Sequence, residues 1–239
     1  MVIKKLHLPG TRYQYIAGEY YLKMDGADAT KCNELKRACL DKNIEILVGY
    51  FEKDEISLTR EQLDGSFSSY ALEIGDYTYH FPVLPYKQMN ATNHLPKILG
   101  AAVYVMTIAG GEEGKEADKL RRDTLAVYLD MWEIALLDGA RELLQKETKN
   151  YFGKEEKLFV SDQIGPGFYG MEVRALLDIA KQLDSEQIGV TIGNGMLSPA
   201  KSCGGIFLAF EGEKYTVSEN PCAYCYAKET SCEFCNAKL

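Results

Sequence analysis

Residues 117–146 contain no proline, and Leu125, Leu129, Trp132, Leu136 and Leu143 follow one another at spacings of four, three, four and seven. That is one continuous apolar stripe along a helix of many turns. A helix this long hides such a stripe by lying across another layer, so the pattern predicts a central core helix packed on a sheet. Gly139 and Ala140 interrupt the stripe with small residues that let another element come close.

The sheet has several candidates. Residues 44–51 and 98–108 read as buried strands, with Ile56 and Leu58 as a hairpin return from the first. Residues 70–84 alternate around Gly75-Asp76, with Leu72 and Ile74 before and Tyr77, Tyr79 and Phe81 after, which is a hairpin pattern. His80 faces away from that alternation and reads as structural. Residues 29–40 read as a helix capped by Asp28 or Thr30, with Cys32, Leu35, Cys39 and Leu40 on one face. Cys32 and Cys39 are read as packing, since a free thiol behaves as a small hydrophobe. The tyrosine-rich residues 1–26 fit an N-terminal strand pair or an arm on a partner. Gly110-Gly111-Glu112-Glu113-Gly114 lacks the lysine of a phosphate loop and reads as a connection.

The net charge of −8 argues against nucleic acid, which needs a clustered positive face. No apolar run reaches the ~18 residues of a membrane span. Residues 1–10 lack a signal-peptide core, and a cytoplasmic protein is expected. Three dispersed histidines, His7, His80 and His94, argue against a histidine-rich metal site.

Residues 158–210 say most about function. A short apolar run, Leu158 to Val160, enters Gly165-Pro166-Gly167-Phe168-Tyr169-Gly170. Three glycines and a proline in six residues cannot continue a helix or strand. Two aromatic rings beside bare backbone suit a planar ligand or a partner surface, or a tight turn with its rings folded inward. An amphipathic helix follows over 171–183, with Val173, Leu176, Leu177, Ala180 and Leu183 on one face. Ile188, Val190 and Ile192 then alternate like a strand, Gly193 and Gly195 break it, and residues 206–210 form a last strand.

This order of features, with the segment IGVTIGNGMLSPAKS, resembles the activation (reactivation) domain of cobalamin-dependent methionine synthase and free-standing proteins similar to it. The likeness covers roughly residues 94–210. In that family an Arg-x-x-x-Gly-Tyr loop holds S-adenosylmethionine, and a Pro-x-x-Ser segment follows a Leu-Thr-Glu-Ser stretch. The matching positions here are Pro166, Gly167 and Phe168, then Thr191, then Ser198-Pro199-Ala200-Lys201-Ser202. Gln163 stands where the family has arginine, and Gly193 stands near its acidic residue. Arginine grips a carboxylate with two charge-assisted hydrogen bonds that a neutral glutamine cannot reproduce. The resemblance implies an α+β fold with a largely antiparallel twisted sheet. It also implies cofactor contacts at Gln163, Gly165, Pro166, Gly167, Phe168 and Tyr169, and a corrinoid protein as partner, with cobalamin present only through that partner.

The chain ends in Cys222-x2-Cys225, six residues, Cys232-x2-Cys235. Two residues between cysteines let both sulfurs face one ion, and six let the chain fold back. Four thiolates then hold zinc or an iron–sulfur cluster. The expected organisation is an N-terminal α+β part at 1–93, a core at 94–212 in the same globular unit, and a cysteine-rich tail at 213–239. Three functions fit: an accessory protein for reductive reactivation of a corrinoid cobalt, a binding module that kept the fold without its ligand, or a small redox or metal-dependent protein using the tail.

Overall fold

The computed structural model describes residues 1–39, 42–62, 68–81, 86, 95, 97–109, 126–153, 158–212 and 215. In chain order its strands are β1 (Val2–Leu8), β2 (Asn43–Glu52), β3 (Ile56–Gln62), β4 (Ser68–Ile74), β5 (Tyr77–Phe81), β6 (Ile98–Ala109), β7 (Leu158–Val160), β8 (Thr191–Gly193), β9 (Met196–Ser198) and β10 (Ser202–Glu211). The helices are α1 (Gly10–Tyr21), α2 (Cys32–Ala38), α3 (Ala126–Phe152) and α4 (Ala175–Leu183). The centre is a five-stranded antiparallel sheet in the order β1-β2-β6-β10-β7. A second sheet orders β3, β4 and β5, and β8 pairs with β9.

Alternation along β2 explains the layering. Ile44, Ile46, Val48 and Tyr50 bury toward α1, α2 and α3. Leu47 and Phe51 bury on the other face, among residues of β4, β5 and α4. Strands β6 and β10 do the same, so the middle of the sheet is covered on both faces. That is why these strands read as continuous apolar runs rather than as half-polar ones. Each large side chain fully buried there contributes about 1.5–3 kcal/mol.

The long helix is present as expected, and its described part begins at Ala126; Leu125 lies outside the described residues. Leu129, Trp132, Leu136, Gly139 and Ala140 are buried, while Leu143 is only partly so and Leu144 takes the core position. Trp132 meets Tyr21 of α1 edge-on, with ring centroids 5.4 Å apart. Gly18 of α1 faces the same indole. Within the apolar face, Glu133 is buried and forms an ion pair with Lys42, itself nearly buried at the start of β2.

Several expectations need correction. Residues 1–26 form one strand and a helix, not a strand pair; Pro9 precedes the helix as its N-cap rather than marking only a turn. Strand β3 does not return onto β2 but pairs with β4 in the second sheet. The hairpin at Gly75-Asp76 stands, with Ile74 opposite Tyr77. The second helix begins at Ala175, because residues before it are held in turns, and Val173 is exposed instead of lying on the apolar face. Ile188 and Val190 are buried but belong to a 3-10 turn and its exit; only residues 191–193 are strand, with Ile192 exposed. His80 is exposed on β5, and His94 lies outside the described residues. No helix among the described residues is long and apolar enough to cross a membrane.

Candidate functional site

The glycine loop starts where β7 leaves the sheet. Ser161 pairs with Leu208 through its backbone N–H (2.8 Å) and its hydroxyl, which accepts from the Leu208 N–H at 2.9 Å. Ile164 and Ile206 exchange two backbone bonds of 2.9 and 2.7 Å. The chain is thereby pinned to β10 just before the loop. A Cβ on Gly165 would lie 3.1 Å from the Gly205 Cα, so two bare residues face each other where the backbones are closest.

The loop itself is two successive turns. Phe168 N donates to Gly165 O at 2.9 Å, with Pro166 second and Gly167 third at φ +81°. That is the type II arrangement, which wants proline and then glycine. Met171 N donates to Phe168 O at 3.0 Å, with Tyr169 and Gly170 both at positive φ, as a type I′ turn requires. Gly167 N closes the loop by donating to Met171 O at 3.0 Å. The amides of Gly167, Phe168 and Met171 are therefore spent inside the loop.

What the loop offers outward is surface. Phe168 is 49% exposed and Val173 is 67% exposed. The space beside Gly167 is open: a Cβ added there would have its nearest neighbour 4.0 Å away, on Val173. Tyr169 is half-buried; burial, and then the Asp162 carboxylate, raise its phenol above the ordinary range. Pro166 is half-buried and Gly165 buried.

Gln163 points to the other side of the strand from Ile164. Its amide donates to Gly204 O at 3.3 Å and lies across Gly205, where a Cβ would come within 2.8 Å of Nε2 and 3.0 Å of the Tyr104 hydroxyl. There it helps line a cavity of about 120 Å³ with Tyr20, Asp138, Arg141, Glu142, Gln145, Asp162 and Phe207. The four α3 residues are spaced three, one and three apart, so they share one helix face opposite the loop.

Arg141 organises this wall. It donates through Nε to the buried Tyr104 hydroxyl at 3.1 Å, through Nη1 to Asp138, and through Nη2 toward Cys203 Sγ at 3.7 Å. Burial opposes its charge, but Tyr104, Cys203 and Asp138 outweigh that and hold its pKa above the usual arginine range. Burial also pushes the Cys203 thiol up, against the pull of Arg141. Glu142 is held below the usual carboxylate range, first by Lys146 at 2.6 Å, and it accepts from Tyr20 at 3.2 Å. Gln145 donates to Ser161 O at 2.7 Å, tying α3 to the loop entrance.

The segment after β8 is also compact. The Ser198–Pro199 peptide is cis, and Ser202 Oγ donates to Pro199 O at 2.7 Å while sitting 2.8 Å from Thr107 Oγ1. Lys201 reaches Asp130 of α3 at 2.7 Å. Thr191 and Ser198 are exposed. Cys222, Cys225, Cys232 and Cys235 lie outside the described residues; among the described residues no group of three or more histidine, cysteine or acidic side chains is placed to hold a metal. Cys32, Cys39 and Cys203 form no disulfide among the described residues.

Sequence reasoning points to Gln163 but not to Arg141, Asp138, Glu142 and Gln145. A signal exists: polar residues at 138, 141, 142 and 145 form their own stripe in the half of the helix where the small residues fall. The facing wall, brought from 162–163, carries no local mark.

The architecture is an α+β fold in which one antiparallel sheet is covered by a long helix on one face and by a smaller sheet and short helix on the other. Among solved structures it is similar to the MetH reactivation domain in its crystal structure bound to AdoHcy. The TM-score is 0.56 at 13% identity, over 96% of this chain and 86% of that one. No family model and no curated protein matches the sequence. The likeness shows the fold.

Proposed function

We propose that this chain is an accessory protein for a corrinoid protein and supports reductive reactivation of its cobalt with S-adenosylmethionine as methyl donor. One observation carries the reading: nearly the whole chain follows the fold of a domain whose structure holds AdoHcy. AdoHcy is what remains when S-adenosylmethionine gives up its methyl group. In the reaction, one electron from an external donor takes Co(II) to Co(I), and the Co(I) lone pair accepts the methyl cation from sulfur. The loop at 165–170 and the cavity beside Gln163 are where this chain meets ligand and partner. The exposed Phe168 ring supplies a stacking face, and the internal bonding of the loop amides keeps that ring presented.

In the same reading the four C-terminal cysteines hold one inorganic centre. A cluster there suits the electron delivery, and zinc suits a structural tail.

The test has two parts on the full chain purified without oxygen. Calorimetric titration with AdoHcy is expected to give a micromolar Kd. Mixing the chain with a corrinoid-binding domain carrying Co(II), a one-electron reductant and S-adenosylmethionine is expected to produce the methylcobalt spectrum faster than without the chain. The starting spectrum reports the tail: a broad band near roughly 400 nm means a cluster, and a colourless protein with one zinc means a structural site. Corrinoid-protein binding without AdoHcy binding would convert the reading to a docking module that kept the fold without the ligand. Absence of both kinds of binding sinks it.

A further inference from the structure

The five-stranded sheet ends differently on its two sides. At one end β7 is three residues long, and the rings of Tyr86 and Tyr215 pack against its Phe159. At the other end β1 runs for seven residues in unbroken register with β2 and pairs with no further strand among the described residues. It contains no proline, and no bulge turns it away. Its outer backbone groups are therefore laid out to accept another strand. Val2 and Ile3, at its start, are exposed apolar side chains.

What guards this edge is charge. β1 holds Lys4 and Lys5 at its middle and has no acidic residue. Leu6 and Leu8 turn toward the helical layer, and Lys4, on that same face, lies over the Tyr50 and Tyr151 rings at 5.3 and 4.8 Å. Lys5 is on the opposite face. Its ammonium group donates to Gln187 O at 3.0 Å and lies 4.0 Å from Glu45, a carboxylate it shares with His7. The two lysines are thus held at the edge, one on each face.

These charges decide what can pair there. If a second copy added its own β1 in antiparallel fashion, the full register would set Lys5 opposite Lys5. A slip of one residue would set Lys4 opposite Lys5 in one direction and Lys4 opposite His7 in the other. Every antiparallel register that keeps five or more residues of β1 paired brings a lysine against a lysine or against His7. Like charges directly opposite destabilise a strand pair, and opposite charges stabilise it. The edge therefore disfavours its own copy and suits a strand that carries carboxylates.

We infer that the outer edge of β1 takes an extended acidic segment of a partner protein as a sixth strand, with main-chain hydrogen bonds along β1 and carboxylates facing Lys4 and Lys5. This edge lies across the sheet from the glycine loop, so the assignment stands independently of the adenosyl-ligand reading.

The test uses the full chain and a short fluorescent peptide that alternates valine and glutamate. Anisotropy at low salt is expected to show this peptide binding about tenfold or more tightly than its lysine counterpart. The same peptide with methylated backbone nitrogens keeps its charges and loses its donors, and it is expected to bind about tenfold more weakly. Lys5→Glu, at an exposed position, is expected to reverse the preference between the glutamate and lysine peptides. Failure of the glutamate peptide to bind overturns the assignment. Equal binding of the methylated peptide overturns it too, because it would mean a charge patch without strand addition. So does a preference that Lys5→Glu leaves unchanged. A chain that sediments as a dimer, and that the peptide returns to monomer, overturns it in favour of a second copy on the same edge.

Discussion

Replacing Glu133 by glutamine is expected to lower the unfolding free energy by about 3–5 kcal/mol, the cost of leaving one member of a buried ion pair without its counter-charge. Glu133 sits on the inward face of α3 and is 3% exposed; Lys42, at the start of β2, is 8% exposed. The two form an ion pair that joins the long helix to the end of the central sheet. Taking both charges from water costs several kcal/mol each, and their attraction returns this only while both are present. Glutamine keeps the shape and removes the charge, so the nearly buried lysine ammonium loses the carboxylate it is paired with. Urea unfolding of the two proteins reads the difference directly, and the melting temperature should fall by roughly 6–20 °C. The double variant Lys42→Met with Glu133→Leu is the control. It is expected to recover most of the loss, because apolar replacement of the whole pair is often neutral or better. A single variant within about 1 kcal/mol of wild type would show that the pair is solvated and that the apolar contacts of α3 alone hold it down.

Gly204→Ala is expected to cost about 1–3 kcal/mol, the range for forcing atoms into a packed interior. Its new Cβ would lie 2.8 Å from the Tyr104 carbonyl oxygen and 2.9 Å from Leu176 Cδ1. The leucine is a flexible end and can turn away. The carbonyl belongs to the neighbouring strand of the ladder and cannot move without breaking it. Adding Leu176→Ala should therefore fail to rescue Gly204→Ala in the same unfolding experiment. Gly205, next along the strand, faces the opposite layer, and a Cβ there meets first the Gln163 side chain and then the Tyr104 hydroxyl. Its alanine variant should fold more nearly normally but push Gln163 off Gly204, so the two neighbours separate stability from ligand binding. Rescue of Gly204→Ala by trimming Leu176 would mean that α4, and not the strand contact, sets the limit.

Much of this fold is legible because the signals are local. Residues 98–109 are apolar almost throughout because both faces of that strand are covered, and the stretch reads as a buried strand from composition alone. Gly75-Asp76 between alternating runs gives the hairpin its turn. Gly165-Pro166-Gly167 gives the type II turn, since proline sets one φ and only glycine takes the next one cheaply. Helix α1 escapes such reading for the opposite reason. Its tyrosines and glycines make a weak amphipathic pattern, and it is held by packing of Ala17 and Tyr21 against α3, which the segment does not announce. Strand β3 is matched to the wrong neighbour because strand pattern states a face and not a partner.

The candidate site divides in the same way. The order of turn, helix and strand in residues 158–210 and the glutamine at 163 are properties of the sequence, since spacing and turn chemistry act over a few residues. The meeting of Gln163 and Asp162 with Arg141 is a property of the tertiary fold alone. Those residues come from a helix and a loop separated along the chain, and they face each other only because α3 crosses the sheet beside the point where the loop leaves it. Charges that far apart in sequence have no pattern to betray them, because what pairs them is the distance between two layers and not the spacing along one.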